Sequence, residues 1–213
     1  RDEGQWVPPP LIMELVDETG GRPTFTGWLL REAMRIASDL EAAGVPVGLS
    51  VNLTALDLLD PDLPEMLRQR LDTWRVDPKR ITLELTESVM VTDPDKSLAV
   101  MRKLADMGLR LAIDDFGTGY SSLSYLASLP ADELKIDRSF IVAMFDSADS
   151  RRIVRTIIAL AHDLGMSPLA EGVEEAAQRD ELAALGCHLV QGYLYAKPMP
   201  VDRFIDWFRE RGA

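Results

Sequence analysis

Leu109–Leu123 reads LRLAIDDFGTGYSSL: an apolar run, two adjacent aspartates, then a turn rich in glycine and serine. Leu111, Ala112 and Ile113 have the unbroken apolar character of a strand buried on both faces, as in parallel sheets covered by helices. Asp114 and Asp115 follow at once, two like charges that repel each other and lose hydration beside apolar sequence. One of them stays protonated unless positive charge arrives, and a divalent cation with oxygen ligands supplies it. Gly117 and Gly119 free the next backbone to swing or to lie close to a ligand. Ser121 and Ser122 stand where they can cap a helix beginning at Leu123. The stretch therefore reads as a strand ending in a metal site, against the plainer alternative of a strand followed by an acidic turn.

Strands and helices alternate on both sides of it. Pro8, Pro9 and Pro10 start a short helix through Leu15, which Gly20 and Gly21 end. From Thr24 or Thr26, the residues Trp28, Leu29, Ala33, Ile36, Leu40 and Ala43 recur at helical spacing up to Gly44. Val47 to Val51 reads as a strand ending at Asn52, and Pro64 to Trp74 as a helix. In ITLELTE, Ile81, Leu83 and Leu85 alternate with Thr82, Glu84 and Thr86. With the leucines under outer helices, Glu84 points to the sheet's other face, where an unpaired carboxylate costs several kcal/mol. The residue must have a partner there.

Asp93 caps and Pro94 opens a helix that stops at Gly108. Glu133 to Ile136 is a strand in ELKIDRSF, with Lys135 and Asp137 on one face and Leu134 and Ile136 on the other. Ser150 to Leu164 is a helix with one apolar stripe, and Ser167 to Ala170 a strand ending at Glu171. A helix near Ala176 to Leu185, a strand of Leu189 and Val190 leading to Gln191, and a helix from Val201 to Arg211 complete the chain.

Six strands thus end at Asn52, Glu84, Asp114, Lys135, Glu171 and Gln191, 20 to 36 residues apart. Such βα repetition builds a TIM-type α/β barrel, whose reacting groups come from the carboxyl ends of several strands. That barrel takes eight strands, so the two not read here are expected ahead of Arg1, and 1–213 is expected to be one N-terminally incomplete domain. The alternative is an open doubly wound sheet, for which the sequence offers no Gly-rich phosphate fingerprint between strand and helix.

Composition narrows the chemistry. A formal net charge of -12 argues against DNA and anionic membrane surfaces as partners. No apolar run approaches the length of a membrane span, so direct membrane insertion is not expected. The single cysteine, Cys187, rules out a disulfide framework and makes the cytoplasm the expected location, whether free or in the cytoplasmic part of a membrane-attached protein. His162 and His188 lie at no zinc-motif spacing, which disfavours a zinc site or a Ser-His-Asp triad.

Asn52, Glu84, Asp114, Asp115 and Glu171 offer almost only oxygen donors, the set that Mg²⁺ or Mn²⁺ selects. Two such ions about 4 Å apart would share Asp114 and clamp a phosphodiester for in-line attack. Lys135, costly to bury alone, is stabilised among carboxylates and can orient water or a phosphate oxygen. Singly, each residue has a plainer reading. Asn52 is a turn residue, Glu84 and Lys135 are a structural ion pair, Glu171 belongs to an ordinary strand-to-helix turn, and Gln191 says nothing.

From near Val7 to the last helix the chain resembles the EAL family, cyclic di-GMP phosphodiesterases and receptors, through NLT, ELTES, DDFGTGYSSL, LKIDRSF, AEGVE and QGY. The resemblance implies that Asn52, Glu84, Asp114 and Asp115 are metal ligands and that Glu171 is a metal-proximal acid/base residue. It implies that Lys135 positions water, that Asp137, Glu174 and Gln191 support site or substrate, and that Glu87 holds the DDFGTGYSSL loop. The implied reaction is hydrolysis of cyclic di-GMP to linear pGpG with Mg²⁺ or Mn²⁺. It further implies an attached sensory or GGDEF domain and allows a homodimer. Thr54 stands where the family often has serine. The glutamate of the Glu-Ala-Leu motif, and an arginine shortly after it, would lie in the expected upstream segment.

Two other functions compete. An EAL-like receptor would bind cyclic di-GMP or a protein partner without cleaving anything. A barrel enzyme abstracting a proton beside a carboxylate with Mg²⁺ and a lysine shares the ligand chemistry, but leaves AEGVE and DDFGTGYSSL unexplained together.

Overall fold

The computed structural model describes residues 9–87, 93–118 and 122–212. Its strands are β1 (Leu49–Leu53), β2 (Ile81–Thr86), β3 (Arg110–Phe116), β4 (Glu133–Ile136), β5 (Ser167–Ala170) and β6 (Leu189–Val190). The helices are α1 (Pro9–Glu18), α2 (Arg22–Ala42), α3 (Ala55–Leu58), α4 (Leu63–Trp74) and α5 (Pro94–Asp106). They continue with α6 (Leu123–Leu126), α7 (Arg138–Ala143), α8 (Ala148–Asp163), α9 (Ala176–Ala184) and α10 (Val201–Glu210).

The six strands form one parallel sheet in the order β1-β2-β3-β4-β5-β6, which is also the chain order. A doubly wound sheet reverses its order partway, at the switch point where ligands bind. Here each strand steps in the same direction, and right-handed crossovers then put every helix on one face, as in a barrel.

Period-two alternation decides which side chains meet those helices. Leu83, Leu85, Leu111, Ile113, Leu134 and Ile136 lie on the helix side and are fully buried, forming one core with Leu30 and Met34 of α2, Leu67 of α4, Leu104 of α5 and Ile158 of α8. The other face is polar. Across it Asn52 pairs with Glu84, Thr86 with Asp114 and Lys135 with Leu169 in register. β1 and β6 are the edges of the sheet, and a cleft of about 630 Å³ is lined by Leu49 of β1 and by Gln191 and Tyr193, just beyond β6, among others. The sheet curls far enough for its two edges to share a cleft, yet among the described residues they are not paired.

Several elements differ from the sequence reading. β1 starts and ends later than expected, so Asn52 lies inside the strand. β3 runs on through both aspartates to Phe116, with a register shift against β4 between Ile113 and Phe116. Ser122 occupies the N-cap position of α6 without a side-chain bond to the helix, its Oγ lying 2.8 Å from Ser124 Oγ instead. Ser121 and Gly119 fall outside the described residues. Asp137 stands beyond β4 and caps α7, accepting from the Ser139 backbone N–H at 3.0 Å.

Candidate active site

The carboxyl ends of β2, β3, β4 and β5 converge on one cation. Lys135 is 2% exposed, and its Nζ lies 2.7 Å from Glu84 Oε2, 2.8 Å from Asp114 Oδ1 and 2.8 Å from Glu171 Oε1. The partner that Glu84 required is therefore Lys135, to which it is hydrogen-bonded. Burial pulls the ammonium's pKa down, but its contacts with Asp114, Glu171 and Glu84 outweigh that and hold it above the ordinary lysine value. It stays charged through the physiological range.

The two aspartates present a geometric problem, because adjacent residues of a strand point to opposite faces. Asp115 solves it with a φ of 53°, in the left-handed region that aspartate tolerates better than most residues, at the register shift of β3. Asp114, Asp115 and Glu171 consequently offer carboxylate oxygens within 4.8 Å of one another. Burial first, then the charges of Asp114 and Asp137, raise the Asp115 carboxyl above its ordinary value. Burial likewise raises Glu171 despite the ammonium beside it. Asp114 Oδ1 is buried and, although close to the ammonium, lacks an aligned hydrogen bond. An all-oxygen cluster with carboxyls raised by burial and an under-satisfied buried oxygen fits a hard divalent cation.

Glu87, buried just past β2, accepts from the Gly117 backbone N–H at 3.3 Å, at the start of the glycine-rich loop. Asn52 lies on the inner face of edge strand β1 and is exposed there. A smaller cleft of about 170 Å³ beside the cluster is lined by Arg138, Glu171, Glu174, Gln191 and Tyr193. Asp137, two residues beyond Lys135, keeps an extended backbone as the N-cap of α7, and its charge is felt by Asp115.

Sequence reasoning passed over Arg138. Its guanidinium Nη2 meets Glu174 Oε1 at 2.7 Å across that smaller cleft. It also passed over how Gly172 and Gly192 seat the turn that follows β5. A Cβ on Gly172, whose φ is 69°, would lie 2.2 Å from Arg138 Cγ, and one on Gly192 would lie 2.1 Å from the Val173 carbonyl oxygen. The motifs AEGVE and QGY contained both glycines, which was the available signal.

His162 lies 3.1 Å from the Gly186 carbonyl oxygen, a contact in which the Nε2–H tautomer donates. Cys187 is buried beneath β5, and burial pushes its thiol up to about 11. Neither joins the cluster, and no described helix is long and apolar enough to cross a membrane.

The family model described as the EAL domain matches residues 1–198. The chain is 40% identical over 200 residues to the bifunctional diguanylate cyclase/cyclic di-GMP phosphodiesterase MucR of Pseudomonas aeruginosa, covering 93% of this chain and 29% of that protein. It is 34% identical over 207 residues to the probable cyclic di-GMP phosphodiesterase PdeB of Escherichia coli, covering 97% of this chain and 39% of that one. The chain spans well under half the length of these curated relatives. Among solved structures, the MucR phosphodiesterase in complex with c-di-GMP matches with a TM-score of 0.90 at 38% identity, over 96% of this chain and 83% of that one. The EAL domain of Mycobacterium smegmatis DcpA matches with a TM-score of 0.81 at 36% identity, over 86% and 83%. With strand-end carboxylates gathered around a buried lysine on a TIM-like α/β fold, and with a family match that spans nearly its whole length, this chain belongs to the EAL-domain family of cyclic di-GMP phosphodiesterases.

Proposed function

We propose that the domain hydrolyses cyclic di-GMP to linear pGpG, and that Asn52, Glu84, Asp114 and Asp115 hold Mg²⁺ or Mn²⁺, two ions in all. The observation that carries this reading is the Lys135 ammonium held among Glu84, Asp114 and Glu171 beside Asp115. A purely structural barrel interior would have little reason to keep so many charges there. The metal ions, when bound, supply positive charge that polarises the phosphodiester and favours ionisation of the attacking water.

This chain's residues do the rest. Lys135 cannot act as a base, since its contacts keep it protonated, so it donates hydrogen bonds that orient the water toward phosphorus. Glu171, its proton affinity raised by burial, accepts the water's proton and returns one to the departing 3′ oxygen as the P–O bond breaks. Asp137, Glu174 and Gln191 border the substrate side. Glu87 tethers the glycine-rich loop through the Gly117 N–H. The domain is further proposed to be completed by two strands encoded upstream, which would fill the cleft between β1 and β6. Attached sensory or GGDEF modules and a homodimer belong to the same proposal, as does a cytoplasmic site of action.

The test is product analysis of cyclic di-GMP incubated with this chain and with one extended upstream, each in Mg²⁺ or Mn²⁺ and again with a chelator. The expected result is metal-dependent pGpG from the extended chain. Binding of the dinucleotide without cleavage by the extended chain would overturn the enzyme reading in favour of a receptor.

A further inference from the structure

The turn after β5 carries Glu171 and Glu174, and its shape is fixed from outside the strand. On one side the methylene stem of Arg138 lies over Gly172, so close that its Cβ, Cγ and Cδ would all stand within 3 Å of a Cβ added there. On the other, Val173 N–H donates to the Gln191 carbonyl at 3.0 Å and Leu194 N–H to the Val173 carbonyl at 3.0 Å. Below, Glu171 N–H donates to the Ile136 carbonyl at 3.2 Å, two residues before Arg138. The guanidinium then reaches past the turn to Glu174. Arg138 thus touches the turn twice, through its stem at Gly172 and through its charge at Glu174.

We propose that Arg138 is a positioning residue with two separable parts: the stem sets Glu171 against Lys135, and the guanidinium sets Glu174 at the mouth of the adjoining cleft. The stem acts by excluded volume, since only a glycine in the left-handed region lets it settle there, and a shorter side chain would leave the turn free to shift. The guanidinium acts by a charge-assisted hydrogen bond that restricts a long, exposed carboxylate. Among the described residues Arg138 is also the one cation lining a cleft whose other charged residues are Glu171 and Glu174. Fixing Glu174 in a pair lowers the negative charge that an incoming phosphodiester would meet. The kinetic half of this inference rests on the phosphodiesterase reading.

Three substitutions in the full-length protein separate the parts. Arg138→Met keeps the stem and removes the charge, Arg138→Lys keeps both in altered form, and Arg138→Ala removes both. Steady-state kcat and KM for cyclic di-GMP are measured together with Mn²⁺ affinity by electron paramagnetic resonance. For Arg138→Met the expectation is a kcat within about twofold of wild type, unchanged Mn²⁺ affinity and a KM raised on the order of tenfold, the weight of one charged hydrogen bond. Arg138→Lys recovers part of that KM. Arg138→Ala adds a fall in kcat and weaker Mn²⁺ binding, because Glu171 is then misplaced. Identical behaviour of the Met and Ala variants, or wild-type values in both, would overturn the proposal. If the wild-type protein neither binds nor cleaves cyclic di-GMP, the phosphodiesterase reading fails, while the Mn²⁺ comparison of the Met and Ala variants still decides what the stem does.

Discussion

Lys135 is the residue on which the inner face depends, and its removal has a stability consequence distinct from its catalytic one. Three carboxylates within 2.8 Å of its Nζ would lose their common counter-charge. Breaking such a buried arrangement costs about 3–5 kcal/mol. Lys135→Met should therefore melt well below wild type in metal-free buffer at neutral pH, and Mn²⁺ should raise its melting temperature more than it raises the wild type's. Equal melting of the two metal-free proteins would sink the idea. Cys187 gives a second residue-scale expectation. Its thiol is raised to about 11 in the folded chain from an ordinary value of 9.0, mainly by burial. The folded state therefore holds this proton more tightly, so the contribution is fully present below pH ~9 and is lost as pH rises toward 11. The loss is on the order of 2–3 kcal/mol. Urea denaturation between those pH values should show a steeper decline for wild type than for Cys187→Ala.

At the scale of elements, Gly192→Ala is the informative change. The added methyl would collide with the backbone N, C and O of Val173, and backbone cannot step aside as a flexible side chain can. A loss of about 1–3 kcal/mol in denaturant unfolding is expected, with a lower kcat because the Glu171 turn moves. Wild-type stability would show that the two turns are not in contact. β2 and β4 were legible through the alternation of apolar and polar positions, although β2 runs on past Glu84 to Thr86, and β5 and β6 were legible as short runs behind the glycines that end α8 and α9. β3 was not, since the left-handed Asp115 breaks the alternation and lets the strand continue through two charges. The short helices α3 and α7 were missed because fewer than two turns carry no period. The reciprocal capping of Thr54 and Asp57 was the one local clue to α3. Lys135 and Glu84 were legible as residues needing partners. Arg138 was not, because nothing in a sequence says that a side chain will lie on a glycine from a later strand.

The whole molecule is a sheet wound in one direction whose two edges face each other across a cleft. At its two edge strands the inner face is bare: Asn52 is exposed and Leu189 is 42% exposed. On the helix side, Leu11 and Leu15 of α1 and Trp28 of α2 also present apolar surface. Unpaired strand edges recruit other strands. The 213-residue chain by itself is therefore expected to associate or melt broadly, and an upstream-extended chain to run as one species with a higher, sharper transition. Size-exclusion chromatography with thermal melting checks this, and a sharp monomeric peak with cooperative melting of the shorter chain would count against it.

Because strand order equals chain order, the inner face is also laid down in sequence on the ribosome. Glu84, Asp114 and Asp115 emerge before Lys135, and Glu171 after it. A nascent sheet of β1 to β3 carries Glu84, Asp114 and Asp115 without the ammonium that neutralises them, its cation Arg110 standing at the opposite end of β3, so closing over the acidic end is costly until residue 135 has left the exit tunnel. At 5–20 residues per second the acids wait roughly one to ten seconds for their counter-ion, an interval in which a cytosolic divalent cation could serve in its place.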